Sequence, residues 1–265
     1  MKLKIRARYK HYVVNKIKKF WRQHRNLQHV RKAEGTEASS LMNSVIGIRE
    51  FAGAYLEIGV ESGFTFEAVN LKNKSAVDPK FLFNKWTKSR SIKLYETTSD
   101  AYFELNNGSN LFFDLVYLDG LHTFEQTYMD LGNTFQFLHS NSIVIIDDTV
   151  PCDSYSSNPV QEFAYETRIS AGIKNDGSWH GDVFKLVCTL NYLNLPELNY
   201  RTLVDLQNPK TVVWLKQGFE WPKKLPDLNR KLSESFTYSK YFEPKISEVF
   251  HPTTKSKFLE EIWVG

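Results

Sequence analysis

Short apolar runs alternate with stretches of helical periodicity along most of this chain, and that alternation predicts its architecture. The runs at 54–58, 74–77, 92–96, 115–118, 142–146, 201–206 and 211–216 are of strand length. Helices are predicted between them at 65–71, 81–88, 99–106, 123–138 and 182–193, with a short one at 41–51 leading in. Strands and helices that alternate in this way fold as an α/β unit with a parallel sheet covered on both faces. A dehydrogenase or a glycosyltransferase would share the alternation, so function must be read from the turns.

Three segments lie outside this rhythm. Residues 1–35 carry Ile5, Tyr9, Val13, Ile17, Phe20 and Trp21 at spacings of three and four, with lysines and arginines between them, which is an amphipathic helical pattern. Residues 150–180, rich in Ser, Asn and Gly after Pro151, form the longest irregular insert, and a loop of that length after a strand is usually a lid or a substrate-binding segment. Residues 218–265 form a C-terminal extension with Pro222, Pro226, Pro244 and Pro252 set among aromatics. The expected organisation is a helical head, a main domain over 36–217 and this tail.

Charge sharpens the picture of the head. The net charge of +4 hides twelve Lys or Arg and no Asp or Glu in residues 1–32, so the other 233 residues sum to −8. A basic head on an acidic body leaves three readings open: contact with an anionic membrane surface, packing on the body, or packing on a second subunit. No aromatic-basic motif supports nucleic acid as a partner. The two cysteines, Cys152 and Cys188, do not make a disulfide framework, and no run is long enough to span a bilayer. The expected location is the cytoplasm, with the inner membrane surface as an option for the head.

The turns carry the candidate chemistry. After the first strand comes Glu57-Ile58-Gly59-Val60-Glu61-Ser62-Gly63, where two glycines let the backbone turn tightly and approach a ligand. Glu57 and Glu61 would repel a pyrophosphate but suit a ligand bearing an ammonium and a sulfonium; a plain strand-to-helix turn is the alternative. Asp78, ending the second strand, stands where a carboxylate can accept both hydroxyls of an adenosine ribose, or simply makes an Asp-Pro turn. Ser99 or Asp100 after the third strand can bond an adenine edge or cap a helix.

The fourth strand delivers Asp119-Gly120-Leu121-His122, and the fifth delivers Asp147-Asp148, to the same edge. Three converging carboxylates need a cation or raised pKa values, and an oxygen-only set of Asp119, Asp147 and Asp148 would favour Mg²⁺ or Mn²⁺. In the other reading Asp119 touches a cofactor while the acidic pair caps a loop. His122 is placed to take a proton from an acceptor hydroxyl, with Glu125 orienting it or capping the next helix. Trp179, His180 and Lys185, around the end of the insert, are candidates to line an acceptor pocket, with Asp182 as a helix N-cap.

Taken together, Glu57-x-Gly59-x-x-x-Gly63, Val77-Asp78-Pro79, Leu118-Asp119-Gly120-x-His122-Thr123-x-Glu125, Ile146-Asp147-Asp148 and Trp179-x-Gly181-Asp182-Val183-x-Lys185 resemble class I S-adenosylmethionine-dependent methyltransferases. The likeness, over roughly residues 40–217, is to the small bacterial branch related to macrocin-type sugar O-methyltransferases. The resemblance implies a Rossmann-like, mostly parallel seven-stranded sheet with an antiparallel final strand. It implies S-adenosylmethionine as cofactor, held by Glu57, Gly59, Gly63, Asp78, Ser99, Asp100 and Asp119, and Mg²⁺ held by Asp119, Asp147 and Asp148. The chain departs from the sugar enzymes where some carry a second aspartate as base: Leu121 stands there, and His122 follows. The expected reaction is in-line transfer of methyl to a hydroxyl of a sugar or glycan precursor, with Asp119 and His122 at the reacting atoms. A phenolic or natural-product hydroxyl is the alternative acceptor, and a cofactor-binding module without turnover is the alternative outside enzymes.

Overall fold

Each of the seven apolar runs becomes a strand: β1 (Ala54–Ile58), β2 (Asn73–Asp78), β3 (Ile92–Glu96), β4 (Phe113–Leu118), β5 (Leu138–Ile146), β6 (Leu198–Leu203) and β7 (Lys210–Leu215). The computed structural model describes residues 35–49, 51–83, 89–174, 177–228 and 230–264. A short eighth strand, β8 (Pro252–Thr253), is contributed by the C-terminal segment and pairs parallel with β6. The sheet order is β3-β2-β1-β4-β5-β7-β6-β8, with β7 antiparallel to both β5 and β6. The fold is α/β and Rossmann-like, and its strand order reverses between β1 and β4, the switch point at which such sheets open a crevice for ligands.

Alternate residues of the central strands enter two separate cores. Leu56, Ile58, Val116, Leu118, Val144 and Ile146 face one side, packed against helices α3 (Ser99–Asn106), α4 (Phe124–Thr134) and α6 (Phe184–Leu193). Tyr55, Leu115, Tyr117, Ile143 and Ile145 face the other, against α1 (Glu37–Ile46), α2 (Phe64–Ala68) and the C-terminal α9 (Lys255–Val264). All six residues of β4 are buried, which is why it reads as a continuous apolar run rather than an alternating one.

The structure redraws several expected elements. The helix expected over 123–138 ends at Thr134, and a single 3-10 turn, Phe135–Phe137, leads directly into β5. Of the helix expected over 81–88, residues 81–83 are not helical and 84–88 lie outside the described residues, as does the basic head. The insert expected to be irregular holds a helix, α5 (Gln161–Ser170), pinned by the buried Arg168, whose Nη2 lies 2.6 Å from Asp153 Oδ2. Beyond residue 217 the chain adds α7 (Arg230–Ser235), α8 (Glu243–Val249), β8 and α9, and it buries Phe250, Phe258 and Ile262 in the two cores. No helix among the described residues is long and apolar enough to cross a membrane.

In-register pairing positions the site. Ile58 lies opposite Val77 and Leu118, and Leu118 lies opposite Ile146. The next bonds continue the ladder: Gly59 N–H donates to Val77 O, Asp119 N–H to Ile58 O and Asp147 N–H to Leu118 O. Gly59, Asp119 and Asp147 therefore leave the sheet side by side, beside the Asp78 carboxylate.

Candidate active site

Backbone conformation marks this edge before side chains are considered. Glu61, His122 and Asp148, one in each loop after β1, β4 and β5, all have positive φ (43°, 36° and 57°). Non-glycine residues are held there only where surrounding structure over-determines them, and such strain gathers at functional sites. Two glycines make the loops meet. A Cβ on Gly59 would lie 1.8 Å from Asp119 O, and one on Gly181 would lie 1.6 Å from His122 O, so no side chain is tolerated at either contact.

On the β1–β2 side, Glu57 is buried and receives a 2.5 Å hydrogen bond from Tyr55 Oη. Burial lifts its carboxyl well above the usual range, with Asp119 and Asp78 adding to the rise while the Tyr55 bond and Lys74 oppose it. Asp78 Oδ2 accepts the N–H groups of Val60 and Glu61, both at 2.8 Å, and Oδ1 accepts Lys80 N–H at 2.7 Å. With two lone pairs per oxygen, that leaves about one acceptor site, so Asp78 shapes the loop and has room for one ribose hydroxyl rather than two. Ser99 is buried at the start of α3, where Thr98 rather than Ser99 caps the helix. Gln126 Nε2 binds Ser99 Oγ (3.1 Å), Asp100 Oδ1 (3.0 Å) and Asp130 Oδ1 (3.0 Å), tying α3 to α4.

On the β4–β5 side, His122 is the hub. Its Nδ1 lies 2.8 Å from Asp148 Oδ2, and its Nε2 lies 3.5 Å from Asp119 Oδ1. The Trp179 ring stacks on it at 4.8 Å, with the planes 19° apart. Burial works against a charged imidazole, but Asp148 and Asp119 outweigh it and hold His122 well above its ordinary value. Burial would likewise raise Asp148, yet the charge and hydrogen bond of His122, with help from His180 and Asn208, hold it at about 2. Asp119 goes the other way: burial and then the charges of Asp147 and Asp148 push it up to about 7, against the hydrogen bond from His122. Asp119 keeps 30 % of its side chain open at the lip.

The structure separates the expected residues. Asp119, His122 and Asp148 place ligand atoms within 4.8 Å of one another. Asp147 does not join them. Its Oδ1 accepts Lys210 Nζ at 2.5 Å, Asn208 Nδ2 at 2.9 Å and Asp148 N–H at 2.8 Å, and its Oδ2 accepts the Tyr117 hydroxyl. Trp179 and the buried His180 reach the cluster, His180 from the side of Asp148. Lys185 pairs with Asp182 at 2.8 Å, and Asp182 caps α4 through Phe124 N–H (2.8 Å) rather than its own helix, whose N-cap is Val183. Expectation missed Lys210, Asn208 and Tyr117. Only strand register could have found Lys210: Ile146 pairs with Thr211, which sets Lys210 beside Asp147.

Residues 56–149, which hold both sides of this edge, match the family model described as a methyltransferase domain. The match runs from within β1 to the turn after β5, and it is a likeness to a methyltransferase domain. No curated protein sequence matches the chain. Solved structures that it resembles include the plantazolicin methyltransferase BpumL in complex with SAH, at 14% identity and a TM-score of 0.49, covering 73% of this chain and 86% of that one. Another is the SAH-bound methyltransferase PaMTH1 of Podospora anserina, at 16% identity and a TM-score of 0.43, over 74% and 96%. A third is CalS11, TDP-rhamnose 3'-O-methyltransferase, at 17% identity and a TM-score of 0.40, over 69% and 77%.

S-adenosylmethionine, the cofactor that the sequence leads one to expect, can be tested against the residues at β1 and β2. They fit a cationic ligand: Gly59 lets the loop after β1 close on Asp119, and the buried Glu57 carboxyl has, among the described residues, the Tyr55 hydroxyl as its hydrogen-bond partner. An oxygen-only Mg²⁺ set does not fit. Asp147 Oδ1 is already ringed by three donors, and its Oδ2 accepts the Tyr117 hydroxyl.

Proposed function

We propose that this chain is an S-adenosylmethionine-dependent methyltransferase that moves a methyl group to a hydroxyl of a sugar or glycan precursor, with Asp119 as the proton acceptor. Bound S-adenosylmethionine supplies a methyl carbon made electrophilic by its sulfonium. Glu57, Gly59, Gly63, Asp78, Ser99 and Asp100 form its berth, Glu57 giving its proton up to face the ammonium. The cofactor would present its methyl group for in-line transfer to the acceptor oxygen, with sulfur as the leaving atom, and Asp119 would take the hydroxyl proton. Most of the acceleration comes from alignment, with proton removal as the second contribution.

The observation that carries this reading is Asp119 itself: a carboxyl at about 7, at the lip of the edge, in contact with the glycine loop through its own backbone. A base acts best when its pKa lies near the working pH. His122, protonated and braced by Asp148 and Trp179, serves as the fixed positive charge beside it rather than as the base. A hydroxyl-rich acceptor is favoured over a phenol by the groups gathered around Asp119. They are carboxylates, an imidazole and a Trp face, together with His180, whose buried Nδ1 has no hydrogen-bond partner among the described residues.

The test is transfer of labelled methyl to panels of nucleotide sugars, glycans and phenols. Turnover confined to phenols removes the sugar reading, and cofactor binding without turnover on any panel favours a binding module. The basic head supports a further part of the proposal, contact with an anionic lipid surface that carries a lipid-linked acceptor. Equal liposome co-sedimentation of the full chain and of one lacking residues 1–32 would remove it.

A further inference from the structure

We propose that Lys210 is an internal cation standing where a divalent ion would otherwise be needed, so that this methyltransferase works without a metal. The inference rests on the methyl-transfer reading above, but its argument is geometric. Asp119, Asp147 and Asp148 leave adjacent strands together, and three anions at one sheet edge require neutralisation. The β6–β7 hairpin meets that need from within the chain. Lys210, buried at the first position of β7, sets its Nζ 2.5 Å from Asp147 Oδ1, and Asn208 in the turn before it reaches Asp147 at 2.9 Å and Asp148 at 3.0 Å.

An ammonium at that distance occupies the position a metal ion would take against the same oxygen, and the two cannot share it. The Tyr117 hydroxyl closes the other oxygen of Asp147 from the opposite side. His122 plays the matching part for Asp148, and through Nε2 it also faces Asp119. Asp147 thus faces the Lys210 ammonium, Asp148 and Asp119 face the His122 ring, and Asp119 lies at the open end toward an acceptor. Lys210 is a positioning residue here: it acts on the reaction through Asp147 and the charge balance of the cluster.

The test is titration of the intact protein, purified through chelator, with Mn²⁺ alone, read by calorimetry and by the loss of the free-ion paramagnetic resonance signal. The expected result is no binding to wild type below millimolar Mn²⁺, and a gain of at least tenfold in affinity in Lys210→Met, where Asp147 is released to join Asp119 and Asp148. A purely structural lysine would not produce that gain. Submillimolar Mn²⁺ binding by wild type, displaced by Mg²⁺, would overturn the proposal, as would a folded Lys210→Met that binds no metal. Should Lys210→Met fail to fold, the wild-type titration alone decides. Binding of SAH to the same samples is scored separately, so a failure of the methyl-donor reading is told apart from a failure of the internal cation.

Discussion

Two aspartates of one strand show how differently its ends are used. Asp114, at the amino end of β4, is buried; its carboxylate accepts the N–H groups of Ala52, Gly53 and Ala54 at 2.8, 2.9 and 2.6 Å, and His139 Nε2 lies 3.1 Å away. It fastens the entry to β1, and nothing about it is left to react. Asp119, just past the carboxyl end, has no such ring of backbone donors; it meets like charges instead and is pushed up to about 7. Satisfied hydrogen bonds make a carboxylate structural, whereas burial beside other carboxylates raises its pKa toward neutrality.

The sharpest way to break this comparison is Asp119→Asn. Methyl transfer should fall roughly 10³-fold, within the range expected for loss of a positioned base, and the rise of wild-type activity with pH through about 7 should disappear. Initial rates of labelled methyl transfer across pH measure both, and near-wild-type rates would place the base elsewhere. At the other end of the strand, Asp114→Ala strands three backbone donors and should cost about 3 kcal/mol of stability. Urea unfolding checks this, and SAH affinity of the folded fraction should not change.

His122→Gln probes the ion pair with Asp148 at about 2 kcal/mol. The raised His122 contributes stability that is complete below its unfolded pKa near 6.5 and is lost as pH rises through its folded value. Asp148, lowered to about 2, contributes above its unfolded value near 4 and loses that contribution as pH falls toward 2. The gap in melting temperature between wild type and variant should therefore be widest between about pH 4 and 6.5 and should close at alkaline pH. A gap independent of pH would mean that packing against Trp179, not charge, holds His122. The smallest effect runs the other way. Because Asp119 binds its proton more tightly when folded, wild type loses stability as pH rises from about 4 through about 7. Asp119→Asn should consequently melt above wild type at pH 8 and not at pH 4.

Much of this edge was legible in the chain. Continuous apolar runs marked β4 and β5 as doubly covered, and glycines at 59 and 63 beside Glu57 marked the tight turn after β1. The insert was less legible: α5 has a mixed, largely exposed surface, and its anchor is the Arg168–Asp153 pair, a contact without periodicity. The acidic trio was visible as residues but not as a division of labour. Asp147 and Asp148 are neighbours in sequence, yet one turns to Lys210 and the other to His122, because the positive φ at Asp148 swings the chain between them.

By itself the sequence determined the alternation, the strand order's raw material and the gathering of acidic groups at strand ends, since side-chain period and glycine placement are local properties. Tertiary structure alone decided which cation answers which carboxylate. Lys210 reaches Asp147 because β7 inserts antiparallel beside β5, and His122 reaches Asp148 because β4 and β5 pair in register, with Gly181 letting the end of the insert close on the His122 carbonyl. Charge pairing depends on distance between residues far apart in the chain, and that distance exists only after the sheet has been assembled.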